Sequence, residues 1–283
     1  MIPSAFEYVR VGSVDEALSA LKAGGEDAKI IAGGQSLMPV LRLRLNAPSV
    51  IVDCSRIDEL KTITDNGDSI TIGAAVTHYD VMKNPLVNSS VALLARATET
   101  VADPQIRHRG TSGGAMAHAD PAGDVPTVGR ALDATFTIAG PGGRRTVSAD
   151  EFFVDYFTTA VGPDELLVSV TYPKYDGWNA HYVKFNRTAQ AWAIVGVAAA
   201  VKVEGGAITD ARVGLTNMGA TPVRATAVEA ALIGANSAAA VAAAAEAAAD
   251  GTSPTSDIHA DEAFRKHLAR VLTKRAVNVA AGF

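Results

Sequence analysis

The chain has 283 residues, of which 48% are hydrophobic and only 6% aromatic, and its formal net charge is −5. This length is sufficient for a large buried core, while the acidic balance argues against nucleic acid or an anionic membrane as a partner. Cys54 is the single cysteine, which excludes a disulfide framework, a cysteine zinc site and a cysteine-ligated iron–sulfur cluster held by this chain.

The sequence shows neither a secretory signal nor a transmembrane segment. The first residues lack the basic and apolar regions of a signal peptide, and the longest apolar run, 191–203, is too short to cross a bilayer. We therefore expect a cytoplasmic protein, either free or peripheral on the cytoplasmic face of the membrane.

The first sixty residues alternate predicted helices and strands around a glycine-rich turn. Ser13 caps a helix that Gly24-Gly25 ends, and residues 29–32 form a strand. A helix over 37–45 and a strand over 49–53 follow. Backbone N–H groups in such a turn can form a concave site for a phosphate. The turn consists of Ala32, Gly33, Gly34, Gln35 and Ser36, and Leu37 opens the next helix.

Residues 61–177 form a second predicted segment. Strand patterns occur at 69–73 and 166–172, a helix begins after Thr77, and a hairpin surrounds 140–143. The long stretch 103–125 is predicted to be an irregular loop that wraps a ligand.

This loop contains a second glycine pair, about 80 residues after the first, within Thr111, Ser112, Gly113, Gly114 and Ala115. A glycine pair alone usually marks only a turn. Two such bends together predict a long, dinucleotide-like ligand in a cleft.

The last hundred residues are predicted to form a separate domain. Three antiparallel strands are expected at 180–185, 191–203 and 207–216. Three helices, the middle one rich in alanine, are expected to follow. The predicted divisions are 1–60, 61–177 and 178–283.

Few side chains suggest chemistry of their own. Ser36 and Ser112 lack the surroundings of an activated nucleophile, and a metal site at His118 and Asp120 is less probable than a loop hydrogen bond. We predict no catalytic residue and no metal site in this chain.

Four charged side chains leave two roles open each. Asp124 can cap a helix or accept a hydrogen bond from a ligand hydroxyl. Arg107 can pair with a phosphate or form a surface salt bridge. Lys184 and Arg187 can polarise an electron-accepting ring or pair with an acidic neighbour.

Read together, several motifs carry a resemblance to a known family. They are Met1-Ile2-Pro3, Phe6-Glu7-Tyr8, residues 32–39, residues 102–107, Thr111-Ser112-Gly113-Gly114, Asp120-Pro121 with Asp124, and residues 214–217. The chain resembles the FAD-binding medium subunit of molybdenum hydroxylases, the xanthine dehydrogenase and aerobic carbon monoxide dehydrogenase family. Within it, the carbon monoxide dehydrogenase branch is the most similar, and the resemblance covers essentially the whole chain.

The resemblance implies an α+β fold of the vanillyl-alcohol oxidase type. Two small α/β subdomains would clasp FAD, followed by a C-terminal domain with a three-stranded antiparallel sheet and helices. The residues implied to hold the diphosphate are Ala32, Gly33, Gly34, Gln35, Ser36, Leu37, Thr111, Ser112, Gly113, Gly114 and Ala115. Asp124 would contact the flavin end, and Lys184 would lie near the isoalloxazine.

The family's activity is an electron relay in an oxidoreductase of several subunits. A large molybdopterin subunit would oxidise substrate and a small subunit would carry two [2Fe-2S] clusters, in a heterohexamer built as a dimer of heterotrimers. FAD on this chain would pass the electrons to an acceptor such as a quinone. Three alternatives stay open: an N-heterocycle or aldehyde hydroxylase, a self-sufficient flavin oxidoreductase, and a non-catalytic nucleotide-binding scaffold.

The sequence departs from the family pattern at several positions, including His108, where asparagine or tyrosine is common, and three further changes. Ser112 and Ala115 stand where isoleucine and asparagine are usual, and Gln190-Ala191-Trp192 replaces a common Gly-Asp-Tyr. Because binding through backbone N–H groups does not depend on those side chains, we expect FAD binding to survive the first two changes. The third is expected to alter the packing and the potential of the flavin.

Overall fold

The computed structural model describes residues 1–283. The strands are β1 (Glu7–Arg10), β2 (Ala28–Ile31), β3 (Val50–Asp53), β4 (Ile63–Asp65), β5 (Ser69–Gly73), β6 (Thr135–Gly140), β7 (Gly143–Ser148), β8 (Phe153–Asp155), β9 (Thr158–Thr159), β10 (Leu166–Pro173), β11 (Asn179–Phe185), β12 (Val195–Glu204), β13 (Ala207–Thr216) and β14 (Val223–Arg224). The helices are α1 (Val14–Gly24), α2 (Leu37–Arg42), α3 (His78–Lys83), α4 (Pro85–Ser90), α5 (Ala92–Glu99), α6 (Pro104–Arg107), α7 (Ser112–His118), α8 (Asp124–Ala131), α9 (Ala149–Phe152), α10 (Thr226–Leu232), α11 (Ala238–Ala245) and α12 (Glu262–Ala281). Three short 3₁₀ helices lie at Gly25–Asp27, Asp58–Lys61 and Glu246–Ala249.

The first sheet is parallel and has the order β1-β3-β2. Ile51 and Val52 of the central strand are buried, and α1 carries the buried Ala17 and Leu21 into the same core. Ser13 caps α1 by accepting the N–H of Glu16, as the sequence predicts. Since all three strands run the same way, their carboxyl ends meet at one edge of the sheet, and the first glycine-rich bend follows β2 there.

The second sheet is antiparallel and has the order β4-β5-β10-β6-β7. Alternate residues such as Ile70 and Ile72 point into a large core, where the rings of Phe136 and Phe152 stack with centroids 3.7 Å apart. The predicted hairpin is confirmed as β6 and β7. This sheet and the helices α3 to α8 form the middle of the molecule.

The predicted α+β organisation is confirmed, with one correction in the C-terminal sheet. That sheet has four antiparallel strands, β11-β12-β13-β14, instead of three. The additional strand contains only Val223 and Arg224, paired with Leu215 and Gly214. Two residues are too few to show an alternating pattern, which is why the sequence did not reveal the strand.

The prediction of an irregular loop over 103–125 was wrong. Helices α6 and α7 lie within it, and Asp103 and Thr111 cap them by accepting backbone N–H groups at their starts. Helix α7 contains two glycines, which have low helix propensity. It forms because tertiary packing holds Gly113 against Ala74, where a Cβ would lie 2.4 Å from the Ala74 Cα.

The three larger sheets lie one in each of the three segments predicted from composition, and the two-stranded sheet β8-β9 lies in the middle segment. Buried residues cross the predicted boundaries, since Leu166 packs with the first sheet's core and Tyr182 packs with the core of the second. The middle segment therefore contacts both of its neighbours through apolar side chains. The division at 60 and 177 itself stays a prediction.

Candidate functional site

The first bend leaves a row of backbone donors free. The amide N–H groups of residues 33–37 donate to no protein acceptor, and the first such bond beyond the bend runs from the Met38 N–H to the Gly34 carbonyl at 3.0 Å. Gly34 has φ +74°, a left-handed conformation in which glycine is unstrained. Consecutive free N–H groups at such a turn form an anion-binding concavity.

The second bend has a different character. The N–H groups of Ser112 and Gly113 donate to the carbonyls of Val76 and Ala74 at 2.9 and 3.1 Å, and the Gly114 N–H donates to Thr111 Oγ1 at 3.0 Å. The expectation that this bend offers free backbone N–H groups was therefore wrong, because those groups hold the loop to the strand-end residues 74–76. The side chain of Ser112 remains, since its Oγ is buried without a hydrogen-bond partner.

The structure brings the first bend against the loop that leads to the second. A Cβ on Gly33 would lie 2.1 Å from the carbonyl oxygen of Arg109 and 2.8 Å from the Gly110 Cα. No residue larger than glycine fits between these backbones without movement. The first glycine pair thus packs against the segment that immediately precedes the second.

A cavity of about 530 Å³ opens beside the first bend, a size typical of small-molecule and cofactor sites. It lies at the edge where the parallel strands end, and its wall includes residues 32–35. Ile106 and Arg109 contribute from the following segment, and Arg42 contributes from the end of α2. Two guanidinium groups and five free N–H groups suit a ligand with adjacent phosphates.

The arginine expected to face a phosphate, Arg107, points elsewhere. Its Nη1 donates to the carbonyl of Val101 at 2.8 Å, and its Nε is buried without a partner. Arg109, two residues further along, is exposed and lines the cavity instead. Arg107 ends α6 and Arg109 lies in the turn after it, so the two side chains point in different directions. The sequence alone does not show which of the two faces the cavity.

Asp124 and Lys184 form a buried ion pair. Lys184 Nζ donates to Asp124 Oδ2 at 2.7 Å, and their side chains are only 6% and 3% exposed. The hydroxyl of Tyr182 donates to Asp124 Oδ1 at 2.6 Å and lies 3.0 Å from the Thr216 hydroxyl. Burial raises the pKa of the Asp124 carboxyl, while Lys184 and Tyr182 act in the opposite direction.

This pair joins the middle segment to the C-terminal domain, since Asp124 begins α8 and Lys184 lies on β11. The sequence left two roles open for Lys184, and in the structure it pairs with an acidic neighbour, Asp124. Gly123, rather than Asp124, is the N-cap of α8. Arg187 is exposed and forms no ion pair.

Other polar groups lie near this junction. Asn217 has a left-handed backbone conformation with φ 62°. Its side-chain Nδ2 donates to the Ala193 carbonyl at 2.8 Å. Its own N–H donates to the carbonyl of Pro121 at 2.8 Å. Trp192, next to Ala193, is exposed. These bonds fix the segment before β12 beside the loop that precedes Asp124.

Comparison with known proteins identifies the family. Residues 4–175 match the model for the FAD binding domain in molybdopterin dehydrogenase, and residues 180–280 match the model for the CO dehydrogenase flavoprotein C-terminal domain. The chain belongs to this family of FAD-binding subunits. The predicted resemblance is thereby confirmed, and the boundary between the two matches coincides with the start of the C-terminal sheet.

The FAD-binding subunit is similar to known medium chains over three quarters or more of its length. It is 38% identical to the carbon monoxide dehydrogenase medium chain of Hydrogenophaga pseudoflava over 99% of this chain and 98% of the relative. It is 40% identical to the glyceraldehyde dehydrogenase medium chain of Sulfolobus acidocaldarius over 75% of each. A solved structure of the Hydrogenophaga pseudoflava carbon monoxide dehydrogenase superposes with a TM-score of 0.96 at 40% identity, covering 100% of this chain and 99% of the other.

The residues of the FAD-binding subunit suit the cofactor that its family binds. The free N–H groups of residues 33–37 and the guanidinium groups of Arg42 and Arg109 complement a pyrophosphate, and the cavity offers room for a flanking group. The partnerless Oγ of Ser112 is a further buried donor. Sequence reasoning found the bend but missed the two arginines, together with Tyr8 and Asp53 in the cavity wall.

No helix is long and apolar enough to cross a membrane. His118 Nε2 lies 4.0 Å from the Asp120 carboxylate, and no third candidate ligand joins them in a metal-binding group.

Proposed function

We propose that this subunit carries FAD as the electron relay of an aerobic carbon monoxide dehydrogenase. A large partner subunit with a molybdenum–pterin cofactor would oxidise the substrate, and a small partner with [2Fe-2S] clusters would deliver the electrons here. The full-length similarity to a carbon monoxide dehydrogenase medium chain, 38% over 99% of the chain, carries this proposal. When bound, FAD supplies a carrier that takes electrons from one-electron clusters and delivers them to an acceptor such as a quinone.

The part of this chain in the relay is to hold the cofactor. We assign the pyrophosphate to the first bend, Ala32 to Leu37, where the unpaired N–H groups and the nearby guanidiniums supply hydrogen bonds and positive charge. The second bend, Thr111 to Ala115, would contribute through the hydroxyls of Thr111 and Ser112. Asp124 and Lys184 are assigned to the flavin end of the site. Because they bind each other, they would hold the wall of the site in place and would not contact the ring directly.

The single cysteine of this chain supports placing the iron–sulfur clusters on a different subunit from the FAD. Cys54 is buried, and burial raises the pKa of its thiol to about 12, so a thiolate ligand is strongly disfavoured. One such thiol cannot hold an iron–sulfur cluster. The clusters of the proposed relay would therefore belong to the small partner, in a cytoplasmic or membrane-peripheral dimer of heterotrimers.

A second candidate within the same class is an aldehyde hydroxylase or an N-heterocycle hydroxylase. The 40% identity to a glyceraldehyde dehydrogenase medium chain over 75% of each chain favours the aldehyde version. Because the substrate is oxidised on a different subunit in this scheme, residues of this chain do not choose between these substrates. The self-sufficient flavin oxidoreductase and the scaffold remain as outcomes of the test.

The test is purification of the complete complex through a tag on this chain, followed by flavin, molybdenum and iron analysis. We expect one FAD per copy of this chain, and bleaching of the flavin by carbon monoxide only when all three subunits are present. Bleaching by an aldehyde but not by carbon monoxide would establish the second candidate. Bleaching of the isolated chain by its own substrate would contradict the relay, and a colourless chain without releasable flavin would support the scaffold.

A further inference from the structure

Helix α12 is basic, although the chain as a whole is acidic. Residues 262–281 contain five lysine or arginine residues and one glutamate, which gives this helix a formal charge of +4. Since the whole chain carries −5, the other residues together carry −9. No acidic residue follows Glu262 in the sequence. Positive charge is therefore concentrated on one helix of an otherwise acidic protein.

The inner face of α12 is fully used by the fold. Leu268 and Leu272 pack into the core of the C-terminal domain. Arg265 is buried, and its guanidinium donates to the Ile194 carbonyl and to Asp257. These contacts fix the rotation of the helix about its axis. Residues three and four apart on the opposite side then form one outward stripe, which consists of His267, Val271, Lys274 and Asn278.

The cations on this outer face are poorly neutralised within the chain. Lys274 and Arg275 are exposed and form no ion pair. Arg270, one turn before Lys274, lies 3.7 Å from the carboxylate of Glu246, which is itself 77% exposed. A patch of one sign without partners attracts a surface of the opposite charge. The outer face of α12 thus favours an anionic partner.

Apolar side chains lie on the same side of the helix. Phe264 is 42% exposed and meets the ring of Phe185 edge to face, with centroids 6.2 Å apart. Val271 is half-buried and lies one turn before Arg275. Ile258, in the turn that leads into α12, is 92% exposed. Aromatic and aliphatic groups together with arginine are typical of protein–protein interfaces.

A protein surface suits this face better than a lipid bilayer does. A helix that lies in a membrane interface needs a continuous apolar face, whereas the continuous apolar face of α12 is buried in the domain core. The −9 carried by the rest of the chain would also be repelled by anionic lipid. The partner that fits is therefore a folded protein with an acidic surface.

We infer that the outer face of α12 docks an acidic surface of one of the partner subunits. Lys274 and Arg275 pair with its carboxylates, while Phe264 and Val271 pack on apolar groups among them. The inference rests on the proposed function, which supplies the partner subunits. It adds the face through which one of them binds, on the C-terminal domain and not on the FAD-binding domain.

The test uses the complete complex, purified from cells that produce this chain together with its two partner subunits. A water-soluble carbodiimide joins a lysine directly to a carboxylate in contact with it. We expect mass spectrometry to find Lys274 joined to an aspartate or glutamate of a partner subunit. Lys274→Arg keeps the charge but removes the reactive amine, so this variant should assemble normally and lose the link.

Lys274→Glu is expected to weaken binding of that partner by roughly tenfold at low salt and to reduce the salt dependence of binding. Lys83→Glu is the matched control, because Lys83 is exposed at the end of α3 and forms no ion pair. The control should bind the partner as the unmodified chain does. Flavin content and the unfolding midpoint should be unchanged in both variants, which shows that the fold is intact.

Unchanged binding of the partner to Lys274→Glu overturns the inference, as does the absence of a link from Lys274 to a partner subunit. The isolated chain is also tested for self-association and for binding to vesicles of phosphatidylcholine and phosphatidylglycerol. Either activity, if Lys274→Glu abolishes it, overturns the inference in favour of a second copy or a membrane. An unmodified chain that co-purifies with neither partner subunit contradicts the proposed function itself.

Discussion

Lys184 on β11 holds the carboxylate of Asp124 on α8 at 2.7 Å, with both side chains almost fully withdrawn from water. A buried charge without its partner is costly, whereas a buried pair is tolerated. The pair spans the junction between the FAD-binding domain and the C-terminal domain. Its stability contribution is therefore a measure of how firmly the two are joined.

Lys184→Met is expected to destabilise the chain by about 3–5 kcal/mol, since it leaves Asp124 buried and unpaired. The double variant with Asp124→Asn should recover most of this loss. Urea unfolding of the single and double variants measures the coupling. A loss that the second substitution does not relieve would contradict pairing as the cause.

The same pair predicts a pH dependence. Burial raises the pKa of Asp124 in the folded chain, so its protonated form favours folding at low pH and this contribution is lost as pH rises through the raised pKa. Lys184 lowers that pKa, and removing Lys184 raises it further. The defect of Lys184→Met should thus be larger at pH 7.5 than at pH 5, as measured by urea unfolding at both values. A defect that grows on acidification would reverse the sign and contradict the assignment.

Gly33→Val is expected to abolish FAD retention, because its side chain meets the Arg109 carbonyl, 2.1 Å from the position of a Cβ. Gly142→Val is the matched control, as a Cβ there meets nothing within 4 Å. Flavin content after purification and the unfolding midpoint are measured for both. Normal flavin content in Gly33→Val would show that the bend can move aside without affecting the cofactor.

Gly113→Val provides a contrast. Its Cβ would lie 2.4 Å from Ala74 Cα, so we expect a loss of stability of the whole middle segment, with FAD lost as a consequence. The flavin-free variant should already unfold at lower urea than the flavin-free parent. Unchanged stability of the flavin-free form would indicate that Gly113 acts on the cofactor directly.

Arg109→Gln and Arg107→Gln should distinguish a role in binding phosphate from a role in stabilising the fold. Arg109 lines the cavity, so its substitution should weaken FAD binding by roughly tenfold. Arg107 donates to the Val101 carbonyl, so its substitution should lower stability more than affinity. Calorimetric titration with FAD and urea unfolding are compared, with Arg275→Gln as the control, because Arg275 is exposed and lies on α12. The reverse pattern would place the phosphate beside Arg107.

The structural elements that could be predicted from the sequence are those determined by neighbouring residues. Ser13 and Thr77 cap helices where the sequence predicts, and β6 and β7 form the predicted hairpin around its glycine-rich turn. The alternating residues of β5 and β10 also correspond to strands. Local hydrogen bonding and periodicity decide these features, so no tertiary information is needed.

Features that depend on long-range packing could not be predicted. Helix α7 contains glycines and forms because it packs on Ala74. The N–H groups of Ser112 and Gly113 donate to the carbonyls of Val76 and Ala74, which lie 36 and 39 residues earlier in the sequence. Asp124 and Lys184 form a hydrogen-bonded ion pair although they are 60 residues apart in the sequence. The orientation of Arg107 inward and Arg109 outward depends on the short helix α6. In each case the deciding contact lies on another element, which no local pattern contains.

A structure of the full chain with FAD bound tests most directly how this subunit holds its cofactor. The pyrophosphate oxygens should lie within about 2.7–3.2 Å of backbone nitrogens among residues 33–37. Arg109 should lie close by, and no such bond should form to the nitrogens of Ser112 or Gly113. A pyrophosphate found away from these five nitrogens, with the bend closed against protein, would contradict that binding mode.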